Sequence, residues 1–360
     1  MPTPISDLVR AAVDTGTGAI RPAARLMSLL ADQPHRLPEV YQAAAGLDGD
    51  AASRLTLPRL LVGITGAPGS GKSTLTDALI RDYRRRYPAR RIGVVAVDPS
   101  SPFTGGAVLG DRVRMMRHAT DPMVFVRSMA SRGHLGGLAL GVKGVIRVMG
   151  LVGCDVVFVE TVGVGQSEVE VAGVADLVMI VLAPGLGDSI QLLKAGLMEI
   201  GDLFVVNKAD RPDAERLHGE LLAMLRTARE DDGGHHDQTV VEDTTDDLAP
   251  WLSRRPGTLI DPRTYLVSGE HGMGISALVD DLEALGAECS SRWQGDRQAA
   301  VDQDMRDAVL EEAARRLRDA LARDPARHRL ASAVLSGDVS VMDAATRLLQ
   351  ETAAQSRQTS

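Results

Sequence analysis

Seven short runs along the chain are apolar nearly throughout instead of alternating: LLVGITG, RIGVVAVD, MVFVRSM, DVVFVE, ADLVMIVLA, DLFVVN and TYLVS. A strand with one wet face alternates, whereas a parallel strand covered by helices on both faces does not. Helical stretches separate the runs, which predicts βαβ crossovers and an α/β fold with a mostly parallel, doubly wound sheet across residues 59–290. Ahead of it, residues 5–31 and 38–47 read as helices interrupted by Pro34 and Pro38, an N-terminal helical extension over 1–58. After Gly295 the period changes. Val301, Met305, Val309, Ala313, Leu317 and Leu321 recur every four residues between Arg, Asp and Glu, the stripe of an amphipathic helix, and a second apolar helix is expected over 339–349. Periodicity leaves open whether the stripe packs on the sheet or on a second subunit. The acidic stretch 231–247 reads as a loop, and its His235–His236 pair has no spaced third ligand for a metal.

Composition narrows the function classes. Aromatic residues make up only 3% of the 360 positions, so the core is aliphatic. A net charge of −8 argues against a basic nucleic-acid surface. Cys154 and Cys289 are too few for a disulfide framework or a four-thiolate site. The central apolar run 177–183 is far short of a membrane span, and the first ten residues lack the pattern of a secretory signal, so the cytoplasm is the expected location. Of the 40 basic residues only four are lysine: Lys72, Lys143, Lys194 and Lys208. In so Arg-rich a chain, a retained Lys points to a place where a compact ammonium on a flexible stem is needed.

Two of those lysines sit in nucleotide motifs. Residues 60–73, LLVGITGAPGSGKS, are a buried run leading into G-x-x-x-x-G-K-S and then a helical stretch, the context of a phosphate-binding loop. Gly66, Ala67, Pro68, Gly69, Ser70 and Gly71 would wrap the phosphates, their backbone N–H groups (all but Pro68, which has none) turned to phosphate oxygens, and the following helix start, with Thr74 in its first turn, favours negative charge. Lys72 would lie along the β- and γ-phosphates and Ser73 would ligate Mg²⁺. The run DLFVV ends in Asn207-Lys208-Ala209-Asp210, an N-K-x-D pattern. Guanine presents N1–H and an N2 amine side by side, which one carboxylate accepts together; adenine lacks that amine. Asp210 is therefore the expected guanine selector, Asn207 the contact to the other edge of the base, and the Lys208 stem a cover for its face. Ser268 and Gly269, ending another run, are expected to add backbone contacts. Asp98, Asp111 and Glu160 stand at strand ends or in the glycine-rich loops that follow, where open α/β sheets bind ligands. They are the candidate carboxylates for the metal.

The segments VDPSSPFTGGAVLGDRVRM, RSMASRGHLGGLA, ETVGVGQSEVEV and GDSIQLLKAGLMEIGDLFVVNKAD resemble the MeaB/ArgK family over about residues 60–283. These are GTPases that act as chaperones of adenosylcobalamin-dependent acyl-CoA mutases, methylmalonyl-CoA mutase being the best known. The resemblance implies GTP/GDP and Mg²⁺ as ligands, a mutase as protein partner, and a homodimer built with helices of the region 291–360. It assigns Ser73, Asp98, Asp111 and Glu160 to the Mg²⁺ and switch machinery, Gly163 to sensing the γ-phosphate, and residues 184–194 to a third switch facing the mutase. This chain departs from the family at that switch, where Asp188-Ser189-Ile190-Gln191 stands in place of Asp-Glu-Leu-Gln.

Gln166 is the candidate for positioning the attacking water. Lys194, beyond the third-switch loop, is expected to be brought to the γ-phosphate by the partner, as an arginine finger is. Two other readings share the motifs: a kinase or regulator of a transport protein, and a GTP sensor that does not hydrolyse. Two H-x-x-G stretches begin at His134 and His271, but Arg132 and Gly269 stand where a cobalamin-ligating D-x-H-x-x-G needs Asp. The cobalamin is expected to belong to the partner.

Overall fold

The computed structural model describes residues 3–13, 19–47, 58–99, 116–118, 120–131, 137–161, 171, 173–186, 198–232, 263–288 and 326–358, with parts of 302–318. The chain divides into two compact units, Met1–Val301 and Asp302–Ser360.

In the first unit, helices α1 (Ile5–Val13), α2 (Ile20–Asp32) and α3 (Leu37–Ala45) precede strand β1 (Leu60–Thr65). The expected helix over 5–31 is thus two helices, with Gly16 and Gly18 lying in the sequence between them. Pro38 occupies the first turn of α3, where its missing N–H costs no hydrogen bond. Then follow α4 (Lys72–Arg86), β2 (Arg91–Pro99), β3 (Val124–Ser131), α5 (Gly137–Leu151), β4 (Cys154–Thr161), β5 (Leu177–Leu182), β6 (Leu203–Val206), α6 (Ala214–Asp232), β7 (Arg263–Leu266) and α7 (residues 275–288).

The seven strands form one sheet in the order β3-β2-β4-β1-β5-β6-β7, and every pairing is parallel. β1, β5 and β6 are buried at every position, which is why their sequences do not alternate. Because all strands run the same way, the residues that follow β1, β4, β6 and β7 emerge along one edge. That edge holds the site.

Both faces of the sheet are covered. On one, Leu75, Leu79, Ile80 and Tyr83 of α4 and Leu278, Val279 and Leu282 of α7 pack over Ile64, Phe158 and Val181. On the other, Val145, Ile146 and Met149 of α5 share a single core with Val9, Leu26, Leu30 and Val40 of the three N-terminal helices. α5 is apolar around much of its circumference, and α1–α3 supply the surface that covers it. Cys154 is buried in this core, where burial pushes its thiol up and keeps it unreactive. The Arg-rich end of α4 is tied down throughout: Arg84 to Asp121, Arg85 and Arg86 to Asp82, and Arg86 to Asp280 of α7. Glu283 of α7 binds both Arg59, just ahead of β1, and Arg90, just ahead of β2. These ion pairs offset the positive charge at the end of α4 and join it to α7.

The second unit contains α8 (Ala326–Leu335) and α9 (Val341–Gln358), packed on each other. Ser340 caps α9: its Oγ accepts the Asp343 N–H at 3.1 Å and donates to the Asp343 carboxylate at 2.7 Å. α8 was not anticipated from the sequence, and α9 runs well past the expected 339–349. Met305, Val309 and Leu317 of the expected stripe are exposed, as is Leu310; Val301 and Leu321 lie outside the described residues. Among the described residues no helix is long and apolar enough to cross a membrane.

Candidate nucleotide site

The glycines of the loop after β1 are there for space as much as for conformation. Gly66 has φ +135°, and a Cβ on it would stand 2.2 Å from the Val181 carbonyl oxygen of β5. Gly71, with φ +88° at the N-cap of α4, would place a Cβ 2.5 Å from Asn207 Nδ2. Only glycine permits both turns, and they bring the loop onto the start of α4. Lys72 is buried, and its Nζ donates to the carbonyls of Gly66 at 2.7 Å and Ala67 at 3.1 Å. The ammonium is thereby held over the loop it would serve.

Glu160, at the end of β4, is also buried. Its Oε1 accepts a 2.5 Å hydrogen bond from Ser73 Oγ, and its Oε2 one of 3.0 Å from Thr76 Oγ1. Two of the four expected metal-site residues are therefore in direct contact. Thr76 escaped the sequence reading because nothing short of the β1–β4 pairing brings α4 against Glu160. Asp98 lies in β2, its backbone opposite Ala130 of β3; its side chain is outside the described residues. Asp111, Gly163, Gln166 and Lys194 also lie outside them, as does the pair His235–His236. Among the described residues no cluster of three or more His, Cys, Asp or Glu side chains is placed to hold a metal.

The loops after β6 and β7 form the other half of the site. Asn207 is buried, and its side chain joins the halves: Nδ2 donates to Ser70 O at 3.0 Å and Gly71 O at 3.3 Å, while Oδ1 accepts the Gly269 N–H at 3.0 Å. Asn207, expected to meet the base, has its amide engaged in bracing one loop against the other. Lys208 adopts φ +62°, the one positive φ outside glycine among the described residues, and its Nζ donates to Gly69 O at 2.7 Å. A left-handed conformation at a non-glycine residue costs about 1 kcal/mol and persists where surrounding contacts enforce it. Gly269 packs directly on α4, where a Cβ would lie 3.1 Å from the Leu75 backbone. A polar chain reinforces that contact: His118 Nε2 meets Asp77 Oδ1 at 2.8 Å, Arg81 Nε meets Asp77 Oδ2 at 3.1 Å, and Arg81 reaches Gly269 O at 3.5 Å.

Asp210 stands at the open end of this half. Ser268 Oγ donates to its Oδ1 at 2.6 Å, and His271 Nδ1 lies 3.6 Å from the same oxygen. The Ser268 hydroxyl, then the backbone and the neighbouring imidazole, hold the Asp210 carboxyl below the usual carboxylate range. Of this cluster the sequence pointed to Asp210, Ser268 and Gly269. His271 figured only as part of an H-x-x-G stretch; its place three residues beyond Ser268 in a glycine-flanked turn was the available signal.

The family model described as methylmalonyl Co-A mutase-associated GTPase MeaB matches residues 50–324. The chain belongs to the MeaB family. It is 52% identical over 208 residues to a Pyrococcus abyssi protein named as a GTPase, a match covering 58% of this chain and 61% of that protein. It is 43% identical over 177 residues to the GTPase ArgK of Escherichia coli, covering 46% of this chain and 52% of the relative. These matches thus span between about half and three-fifths of the relatives' own lengths. A crystal structure of an LAO/AO transport system kinase superposes with a TM-score of 0.56 at 23% identity, covering 97% of this chain and 98% of that one, and shows the shared P-loop fold.

Proposed function

We propose that this MeaB-family chain binds and hydrolyses GTP with Mg²⁺ and acts as a chaperone that assists cofactor loading and protection of an adenosylcobalamin-dependent acyl-CoA mutase such as methylmalonyl-CoA mutase. The observation that carries the nucleotide part is the Asn207 brace, which locks a phosphate loop and a carboxylate-bearing base loop into one continuous site. The cradle fits a nucleotide diphosphate. The space at Gly66 and Gly71 admits no side chain, the start of α4 favours negative charge, and Lys72 needs only to exchange carbonyl partners for phosphate oxygens. Hard oxygen donors meet at Ser73 and Glu160, the donor chemistry of Mg²⁺. Ser73 and Glu160, with Asp98 and Asp111, would hold that ion, which when bound neutralises charge on the terminal phosphates. Asp210 would accept N1–H and the N2 amine of guanine.

The partner reading rests on the family. A homodimer through the C-terminal helices is supported by the exposed Met305, Val309 and Leu310. Phosphate release from GTP, with and without purified methylmalonyl-CoA mutase, tests the whole proposal. GTP turnover that rises several-fold with mutase, with ATP inert, is expected. Equal use of ATP would overturn the guanine assignment, and turnover indifferent to saturating mutase would overturn the chaperone assignment.

A further inference from the structure

We infer that His271 is a specificity-determining residue: acting through Ser268, its imidazole fixes the Asp210 carboxylate in the orientation that reads guanine. The inference rests on the guanine reading above.

Ser268 is fully buried, and its Oγ lies 2.6 Å from Asp210 Oδ1 and 3.1 Å from His271 Nδ1. A hydroxyl has one proton to give. Asp210, held below the usual carboxylate range, is ionised at neutral pH and can only accept. The Ser268 proton therefore points at Asp210, and the ring nitrogen facing Ser268 must carry its own. This network assigns the proton of His271 to Nδ1. Ser268 Oγ then accepts twice, from the imidazole and from the His271 backbone N–H at 3.3 Å. Both acceptor positions are filled, so the hydroxyl has no alternative direction.

The turn presets the ring. Gly272, at φ +75°, donates its N–H to Ser268 O at 2.7 Å, and Ser268 N donates to Met273 O at 3.0 Å, closing residues 268–273 on themselves. The His271 side chain is 59% exposed and so contributes little to the core. Among the described residues its side-chain polar contacts converge on Ser268 and Asp210. With one oxygen anchored by Ser268, the carboxylate plane is fixed, and a fixed plane is what lets a single Asp meet two adjacent N–H groups of one base. Losing the imidazole frees the hydroxyl to turn and the carboxylate to rotate, which costs the second of those contacts.

Inosine diphosphate isolates that second contact, because it keeps N1–H and lacks the N2 amine. Competition binding of GDP, IDP and ADP to the full chain is compared for wild type, His271→Phe and His271→Asn. Wild type is expected to favour GDP over IDP by about ten-fold or more. His271→Phe is expected to bring that ratio to within about three-fold of unity with ADP binding unchanged, while His271→Asn, whose amide nitrogen can donate from near the position of Nδ1, restores most of it. A merely structural role would lower affinity for all three nucleotides together. His271→Phe with the wild-type GDP-to-IDP ratio would overturn the inference while leaving the guanine reading intact, as would His271→Asn behaving like His271→Phe. A wild-type chain that binds ADP as tightly as GDP would overturn the guanine reading, and the inference with it.

Discussion

The two halves of the site are built on opposite plans. At the phosphate end, Lys72 and Glu160 are 6% and 1% exposed and are hydrogen-bonded inside the protein. At the base end, the side chains of Asp210 and His271 are 34% and 59% exposed, on loops that follow strand ends. Phosphates are common to all nucleotides, and a buried, backbone-shaped cradle binds them without discriminating. A base is recognised by the directions of a few hydrogen bonds, which loops at the rim can set without disturbing the sheet. On the proposed reading, affinity and selectivity fall to different parts of the fold, joined by Asn207. The difference predicts that mutations at one end act on folding and on all nucleotides, whereas those at the other act on choice.

The largest effect is expected at Gly66. Gly66→Ala forces a side chain to φ +135° and a Cβ to 2.2 Å from the Val181 carbonyl, so β1 and β5 must shift. Backbone strain of this kind costs ~1–3 kcal/mol before the clash is counted, a fall in melting temperature of roughly 2–6 °C for a unit of this size. Nucleotide binding should be lost. Gly69→Ala is the matched control: its φ is +80°, but the nearest atom to its Cβ is Leu186 Cδ2 at 3.9 Å. It carries strain without collision, and calorimetry should find it well above Gly66→Ala. Equal melting points would mean that space at Gly66 is not the constraint.

Next come the two charges. Lys72→Ala removes charge-assisted contacts worth ~1.5–3 kcal/mol, about 10–150-fold in affinity. The loss should fall on GDP and IDP alike and leave their ratio unchanged. Asp210→Asn should do the reverse. An amide in place of the carboxylate opposes the N2 amine of guanine with a donor, so GDP weakens by about 10-fold or more, while xanthosine diphosphate, with a carbonyl at that position, gains. Competition titrations check both, and a Lys72→Ala chain with altered base preference would break the division drawn above.

How much of this was legible in the sequence follows from the range of the interactions. Each of the seven apolar runs became a strand, because burial on both faces leaves a local compositional mark. The order of the strands leaves none: that β4 inserts between β1 and β2 is a long-range pairing. The phosphate loop was readable because its glycines and lysine are contiguous. Thr76 on Glu160, His118 on Asp77, and the turning of the Asn207 amide toward Ser70 and Gly269 were not, since each joins residues brought together only by the sheet. The interruption after Val13 was locally encoded by Gly16 and Gly18 and could have been read.

The smallest effect separates the scaffold from the site. Glu283 binds Arg59 and Arg90, which enter β1 and β2 at the ends away from the nucleotide loops. Burial pushes the Glu283 carboxyl up, but the hydrogen bond from Arg90 and the charges of both guanidiniums outweigh it and leave it below its ordinary value. A depressed carboxyl stabilises the fold above its unfolded-state value and loses that contribution as pH falls through the folded one. The wild-type melting temperature should therefore hold steady above about pH 5 and begin to decline below the ordinary Glu range of about 4.3. Glu283→Gln should melt lower at pH 7 by the equivalent of ~1–2 kcal/mol, since the pair is only partly shielded from water. The gap between the two proteins should shrink as acid protonates the wild-type carboxyl. GDP affinity at pH 7 and the GDP-to-IDP ratio should match wild type. A gap that stays constant down to pH 3.5 would show that Glu283 contributes packing and not charge, and a changed nucleotide ratio would show that the far ends of β1 and β2 report to the base loop after all.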